Sequence, residues 1–372
     1  MAPFQVPGPA NLAVNANANA LYGVGRAAFD LLESARRRAA RALGARRPDE
    51  IVFTSGATEA DDAAVLGLVQ AAAEQRRLAG QKDRPLHVVT SAIEHDAVLA
   101  PCRRLEAEGV LVTYLRPNRQ GFIEASSLAE ALTDDTVLVS VQAANSEVGA
   151  IQPIRELAAL AHERGALFHT DAVQALGKMP LNLQELGVDA ASFSAHKIGG
   201  PKGIGALYVR PDLRNLRPLL AGGGQEEGLR SGTEATAQIA GFAKAVALRQ
   251  EGLEEKLAHM ARIKAYCRER LLSIPGVVPV GGGEAPHILA VSLVGYPSAN
   301  VINDLGSQGI CLSAGSACHR GQASRGYAAL GLDKRTAAGV LRLSFGPETT
   351  EGDIDALYEA LLRHKNTRFS ML

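Results

Sequence analysis

The chain has 372 residues, with 39 Lys and Arg balanced by 39 Asp and Glu, and 47% of it is apolar. That composition excludes a disordered or fibrous protein, and the zero net charge offers no field to draw the chain to nucleic acid or an anionic membrane surface. The expected partners are small molecules and other proteins, and the length suits two domains of roughly 100–200 residues each.

Four cysteines, Cys102, Cys267, Cys311 and Cys318, make no C-x-x-C pair. Neither a disulfide scaffold nor a metal site is expected, and a reducing cytoplasm fits best. The first twenty residues lack a charged leader and a long apolar core, and no uncharged run reaches the roughly 20 residues that span a bilayer. Neither secretion nor membrane insertion is expected.

Along the chain, short runs rich in Val, Ile, Leu and Phe alternate with longer Ala, Leu, Glu and Arg stretches. A helix is predicted over Gly25–Leu43, then strands at Glu50–Phe53, Leu86–Thr90, Leu111–Leu115, Val137–Val141, Ala166–Thr170, Ala190–Ser194 and Gly205–Val209. Helices at Thr58–Ala73, Ala97–Glu108 and Ile154–Arg164 fall between them. This order predicts an α/β fold with a mainly parallel, doubly wound sheet in a large domain over 16–248. A long charged helix near Gly252–Leu272, followed by Gly/Pro punctuation, opens a smaller α/β domain over 249–372, with residues 1–15 grouped alongside it.

Ligands in open α/β sheets sit beyond the carboxyl ends of the strands, and reactive residues collect there. Thr54-Ser-Gly-Ala-Thr58 follows the first strand, His95 the second, Asn145 a later one, Asp171 and Gln174 the next, and Ser194-Ala-His-Lys197 the last parallel one. This set meets the demands of pyridoxal 5′-phosphate (PLP): an amine for the aldehyde, a carboxylate for the pyridine nitrogen, and donors for the phenolic oxygen and phosphate. Lys197 supplies the amine, its position in a Gly-flanked run setting it apart from a surface lysine. Asp171 ends an apolar strand, where a carboxylate calls for a cation; capping the next segment is the alternative. Asn145 and Gln174 could donate to the phenolic oxygen or merely satisfy local backbone. Gly56 opens a helix whose Ala57 and Thr58 amides can grip a phosphate, although capping of Thr58 with Asp61 would explain the same pattern. His95 could stack on a ring and shuttle protons, or be a solvated loop histidine. Cys318 lies among small residues, Ser313-Ala-Gly-Ser-Ala-Cys318, suited to an accessible nucleophile, whereas Cys102, Cys267 and Cys311 are expected in the core.

Six segments in order, EIVFTSGATE (50–59), SAIEHDAVL (91–99), HTDAVQ (169–174), SFSAHK (192–197), RSGT (230–233) and SAGSAC (313–318), resemble those of the cysteine desulfurases. These are fold-type I PLP-dependent enzymes of aminotransferase class V, and the likeness spans nearly the whole chain from about Asn17. It implies a fold-type I transferase with Lys197 as the Schiff-base lysine, Asp171 at the pyridine nitrogen, Gln174 at the phenolic oxygen and His95 on the ring. Ala57, Thr58, Ser194 and His196 match phosphate binders, and Thr233 matches a threonine lent by the second subunit of a homodimer. Asn145 and Arg342 match residues that hold the substrate carboxylate, and Cys318 matches the cysteine that carries persulfide sulfur.

The implied reaction turns L-cysteine into L-alanine and passes sulfur to an acceptor protein, such as an iron–sulfur scaffold, a tRNA-thiolation protein or a pathway-specific carrier. A related C–S lyase, selenocysteine lyase or aminotransferase is the alternative enzyme, and a non-catalytic scaffold the alternative to an enzyme. The sequence departs from the family pattern at Tyr22, Asp62, Ser146, Glu227 and Pro347. It also lacks the usual amino-terminal Asp-x-Ala-Ala-Thr-Thr segment, so that part of the pocket is expected to be missing or rebuilt.

Overall fold

The computed structural model describes residues 15–213, 216–315 and 324–368. Its strands are β1 Ile51–Thr54, β2 His87–Ser91, β3 Leu111–Leu115, β4 Thr136–Ser140, β5 Leu167–Asp171, β6 Ala190–Ser194, β7 Gly205–Val209, β8 Val277–Pro279, β9 Ile288–Leu293 and β10 Val340–Ser344. The helices are α1 Gly23–Leu43, α2 Ala57–Leu78, α3 Asp96–Ala107, α4 Ala125–Ala131, α5 Ile154–Glu163, α6 Leu183–Leu186, α7 Thr236–Gln250, α8 Leu253–Leu272, α9 Ser298–Gly306, α10 Arg325–Ala329, α11 Lys334–Ala338 and α12 Glu351–Thr367.

A seven-stranded sheet runs in the order β1-β7-β6-β5-β4-β2-β3. The strands are parallel except β7, which pairs antiparallel with both β1 and β6. Strands β2, β6 and β7 are buried at every residue, as expected when helices cover both faces. Every predicted strand is present within one residue of its expected bounds. Helix α2 starts one residue early, because Gly56 takes the N-cap, and its Ala/Arg-rich tail carries it to Leu78.

Helix α1 buries the stripe Ala28, Leu32, Ala35, Ala39 and Leu43 chiefly against helix α7, in a core shared with Ile51 and Phe53 of β1, and Gly44, at φ 70°, ends it in the left-handed conformation. From that helix Arg36 reaches the Gly-rich segment. Its guanidinium meets the Glu226 carboxylate in a fork, Nη1–Oε2 2.7 Å and Nη2–Oε1 2.8 Å, while Oε2 also accepts the Phe53 amide of β1 at 2.9 Å. Removing one partner of such a buried pair costs about 3–5 kcal/mol. This pair ties α1, β1 and the Gly-rich segment together beside the strand ends.

A three-stranded antiparallel sheet, β10-β9-β8, packs Val291, Leu293 and Leu341 against Ile263 of α8, Val301 of α9 and Leu357 of α12. Cys102 and Cys267 lie in the core as expected, but Cys311 is exposed. The chain is extended there: Ile310 and Leu312 turn onto the small core and the residue between them faces away.

Candidate active site

A cleft of about 480 Å³ opens where the carboxyl ends of the parallel strands meet the small sheet. Ser55–Glu59 line it after β1, His95 after β2, Gln142, Ala144 and Ser146 after β4, Asp171 and Gln174 at β5, and Ser194, His196 and Lys197 at β6. Arg342 enters from β10. A second groove, about 590 Å³, runs beside Asp304 and His364 but gathers none of the strand-end residues.

Register explains why β1 and β6 share the cleft although β7 lies between them. Thr54 and Ser194 both pair with Gly205, the first residue of β7. A Cβ on Gly205 would fall 2.7 Å from the Gly56 Cα and 2.4 Å from the Phe193 carbonyl, so only glycine lets the Ser55–Thr58 turn approach β6. Above Gly56 there is open space: no heavy atom lies within 4 Å of the Cβ position. Gly56 caps α2 without any side-chain hydrogen bond, leaving first-turn amides directed at the cleft. The alternative of a Thr58–Asp61 cap is therefore not what the structure adopts.

Asp171 is buried, with Oδ1 accepting the Val173 amide at 2.9 Å. Burial raises its pKa above the usual carboxylate value, against the opposing pull of that amide and of His95, Lys197 and Lys178. Asp61 lies in the same cleft wall, fully buried, and neither carboxyl oxygen makes a hydrogen bond. Its pKa is held well above normal, first by burial and then by the Asp171 charge. Behind them His169 bridges Ser140 and Ser192 at 2.8 and 2.9 Å, and burial pushes it down to about 3, so it is neutral.

Lys197 sits in a tight turn, Ala195–Ile198, closed by Gly199 at φ 82°. The turn presents Lys197 and His196 to the cleft rather than to the core. His196 Nδ1 lies 2.8 Å from Ser194 Oγ, and its pKa is lowered by partial burial and by the cations Lys197, Lys178 and Lys202. His95 caps α3, its Nδ1 accepting the Ala97 amide at 3.1 Å. In the neutral ring the proton is therefore on Nε2.

The structure does not bring the Asn145 amide to the cleft. Its Oδ1 accepts from the amides of Glu147 and Val148 at 2.9 and 2.8 Å, and its Nδ2 donates to the Ile93 carbonyl at 3.2 Å. The local-backbone alternative describes Asn145, which shapes the turn that presents Ser146. Arg342 donates from Nη1 to the Ser146 carbonyl at 3.2 Å, while its buried Nε makes no hydrogen bond. Its backbone pairs with Ser313, so the segment leading toward Cys318 starts beside this cleft wall. Cys318 itself lies outside the described residues, and Thr233 is exposed and does not line the cleft of its own chain.

A family model described as aminotransferase class-V matches residues 11–357. The chain belongs to the aminotransferase class-V family. Among class-V relatives, the cysteine desulfurase IscS of Clostridium botulinum strain Hall is 38% identical over 352 residues, covering 93% of this chain and 86% of that protein. The IscS of Salmonella paratyphi B is 41% identical over 334 residues, covering 88% and 80%. A solved NifS-like protein superposes with a TM-score of 0.87 at 34% identity, over 95% of this chain and 93% of that one. The class-V fold expected from the six segments, a mainly parallel α/β sheet of the fold-type I kind, is the fold observed.

Sequence reasoning missed Asp61, Gln142, Lys178 and His287 as parts of the site or its support. Asp61 was legible: it lies one helical turn after Ala57 and so shares its face. Lys178 lies only four residues from its contact, Gln174, whereas His287 carried no local signal, since it meets Gln174 from 113 residues away.

Proposed function

We propose that this protein is a PLP-dependent cysteine desulfurase that converts L-cysteine to L-alanine and carries the sulfur as a persulfide on Cys318. The observation that carries this reading is the placement of Lys197 and Asp171 on one cleft, opposite the open N-terminus of α2. The residues fit the cofactor on the structure's own terms. A buried carboxyl with a raised pKa awaits a cation such as a pyridinium, and the space above Gly56, ringed by Ala57, Thr58, Ser194 and His196, suits a phosphate.

Bound here, PLP supplies an electron sink for bond breaking at the substrate. Lys197 would hold the aldehyde as a Schiff base and move protons at the substrate carbon, and Asp171 would keep the ring nitrogen charged. Gln174 would donate to the phenolic oxygen. His95, with its proton on Nε2, would face the ring and the substrate thiol. Arg342 has an orphan Nε to offer the substrate carboxylate. Asn145 acts through the turn it holds rather than by contact.

Exposed Leu21, Tyr22, Val24 and Phe29 at the start of α1 form an apolar surface that a second copy would cover, which supports a homodimer with Thr233 serving the partner's phosphate site. A large PLP domain over 16–248 and a small domain over 249–372 belong to this reading, a division supported by the separate seven-stranded and three-stranded sheets. Thiol-based sulfur transfer suits a reducing cytoplasm, with a sulfur-acceptor protein as the onward partner; no described helix is long and apolar enough to cross a membrane.

Purified protein supplied with PLP and L-cysteine should release alanine, and borohydride should fix the cofactor to Lys197, as read by mass spectrometry. Absence of alanine, or an adduct on another lysine, would overturn the assignment.

A further inference from the structure

Gln174 faces the cleft, yet its amide is held from behind by residues on two different elements. Lys178 Nζ donates to Gln174 Oε1 at 2.9 Å, and His287 Nε2 lies 3.3 Å from the same oxygen. Lys178 follows Gln174 by four residues, whereas His287 comes from the residue that leads into β9 of the small sheet. Burial, followed by the charges of Lys197, Arg249 and Arg342, pulls the Lys178 pKa down to about 7, but ammonium and free amine alike carry N–H groups to donate, and the Gln174 atom that Lys178 faces is the carbonyl oxygen. Burial, first of all, holds the His287 pKa well below its usual value, so the ring is neutral with one N–H to give. With its oxygen occupied from behind, the Gln174 amide has only its nitrogen to present to the cleft.

We propose that Lys178 and His287 are positioning residues that lock the Gln174 amide with its nitrogen toward the cleft, so that it donates to an anionic ligand oxygen instead of opposing it. His287 makes this a link between the small sheet and the ligand site. The inference rests on the PLP reading, in which the oxygen facing Gln174 is the phenolic one.

The test uses the holoenzyme and reads the pH midpoint of its visible absorption band rather than turnover. That band reports a proton shared between the Lys197-linked nitrogen and the phenolic oxygen. A donor at the oxygen weakens its hold on the proton, so freeing the amide should raise the midpoint. Lys178→Met should raise it by about half a pH unit or more. Lys178 also sits among Asp171, Lys197, Arg249 and Arg342, so losing its charge could shift the midpoint directly. The same substitution in a Gln174→Leu background separates the two: action through the amide predicts a residual shift below about 0.2 unit there. His287→Leu, which removes a neutral donor and no charge, should behave in the same way and serves if Lys178→Met does not fold. Equal shifts in both backgrounds, with a normal wild-type band, overturn this inference alone. A wild-type protein that takes up no PLP overturns the cofactor reading and this inference with it.

Discussion

Gly205 lies against Gly56 so closely that a Cβ on Gly205 would sit 2.7 Å from the Gly56 Cα. The contact is between backbones, so neither side can swing away, and the Phe193 carbonyl closes the other side at 2.4 Å. Gly205→Ala should therefore displace the Ser55–Thr58 turn. We expect a loss of about 1–3 kcal/mol in stability, read from urea unfolding, together with weaker PLP retention on dialysis. Wild-type stability with full retention would mean that the turn does not depend on this approach.

Glu94 predicts a pH dependence of stability. It is buried, accepting from Ser91 Oγ and the Gln142 amide, and burial raises its pKa from 4.5 to about 8. A raised carboxyl contributes stability that is complete below its unfolded value of 4.5 and is lost as pH climbs toward 8. Glu94→Gln, which cannot titrate, should gain on wild type between those limits by on the order of 1 kcal/mol per pH unit. Urea midpoints at pH 5 and pH 8 would check it; a constant gap would show that Glu94 is ionised throughout.

Arg342 offers a buried, unpartnered Nε in the cleft wall and an Nη1 bond to the Ser146 carbonyl. A substrate carboxylate meeting that guanidinium in a fork should lose affinity when the fork becomes a point charge. Arg342→Lys is expected to raise KM for L-cysteine by about 10- to 100-fold while the visible band of the bound cofactor stays unchanged. An unaltered KM would assign the carboxylate to another group.

Cys311 complicates thiol labelling, because its exposure makes it open to alkylation alongside Cys318. Labelling alone cannot distinguish the two; substitution can. Cys311→Ala should keep alanine release and the trapped persulfide, whereas Cys318→Ala should bind cofactor, lose both and leave only background turnover. Alanine formed at the wild-type rate by Cys318→Ala would mean that another nucleophile takes the sulfur, whereas pyruvate and sulfide in place of alanine would favour a C–S lyase.

The sequence by itself determined the layering of the large sheet and which residues stand at its strand ends. Alternation of apolar runs with helical stretches is local, and the rule that ligands sit beyond parallel strands turns that pattern into a site. Lys197, Asp171, Gln174, His95 and the Ser55–Thr58 turn were legible for that reason. Tertiary structure alone decided what each polar atom bonds to. Asn145 and Gln174 are both loop amides after strands, yet one spends its bonds on Ile93, Glu147 and Val148 while the other is held by Lys178 and His287. Exposure follows the same logic at Cys311: its sequence context predicts a core residue, and the packing of Ile310 and Leu312 on the small core leaves it exposed. Composition and spacing constrain the backbone through near neighbours. Hydrogen-bond partners and facing directions depend on elements that meet only when the chain has packed.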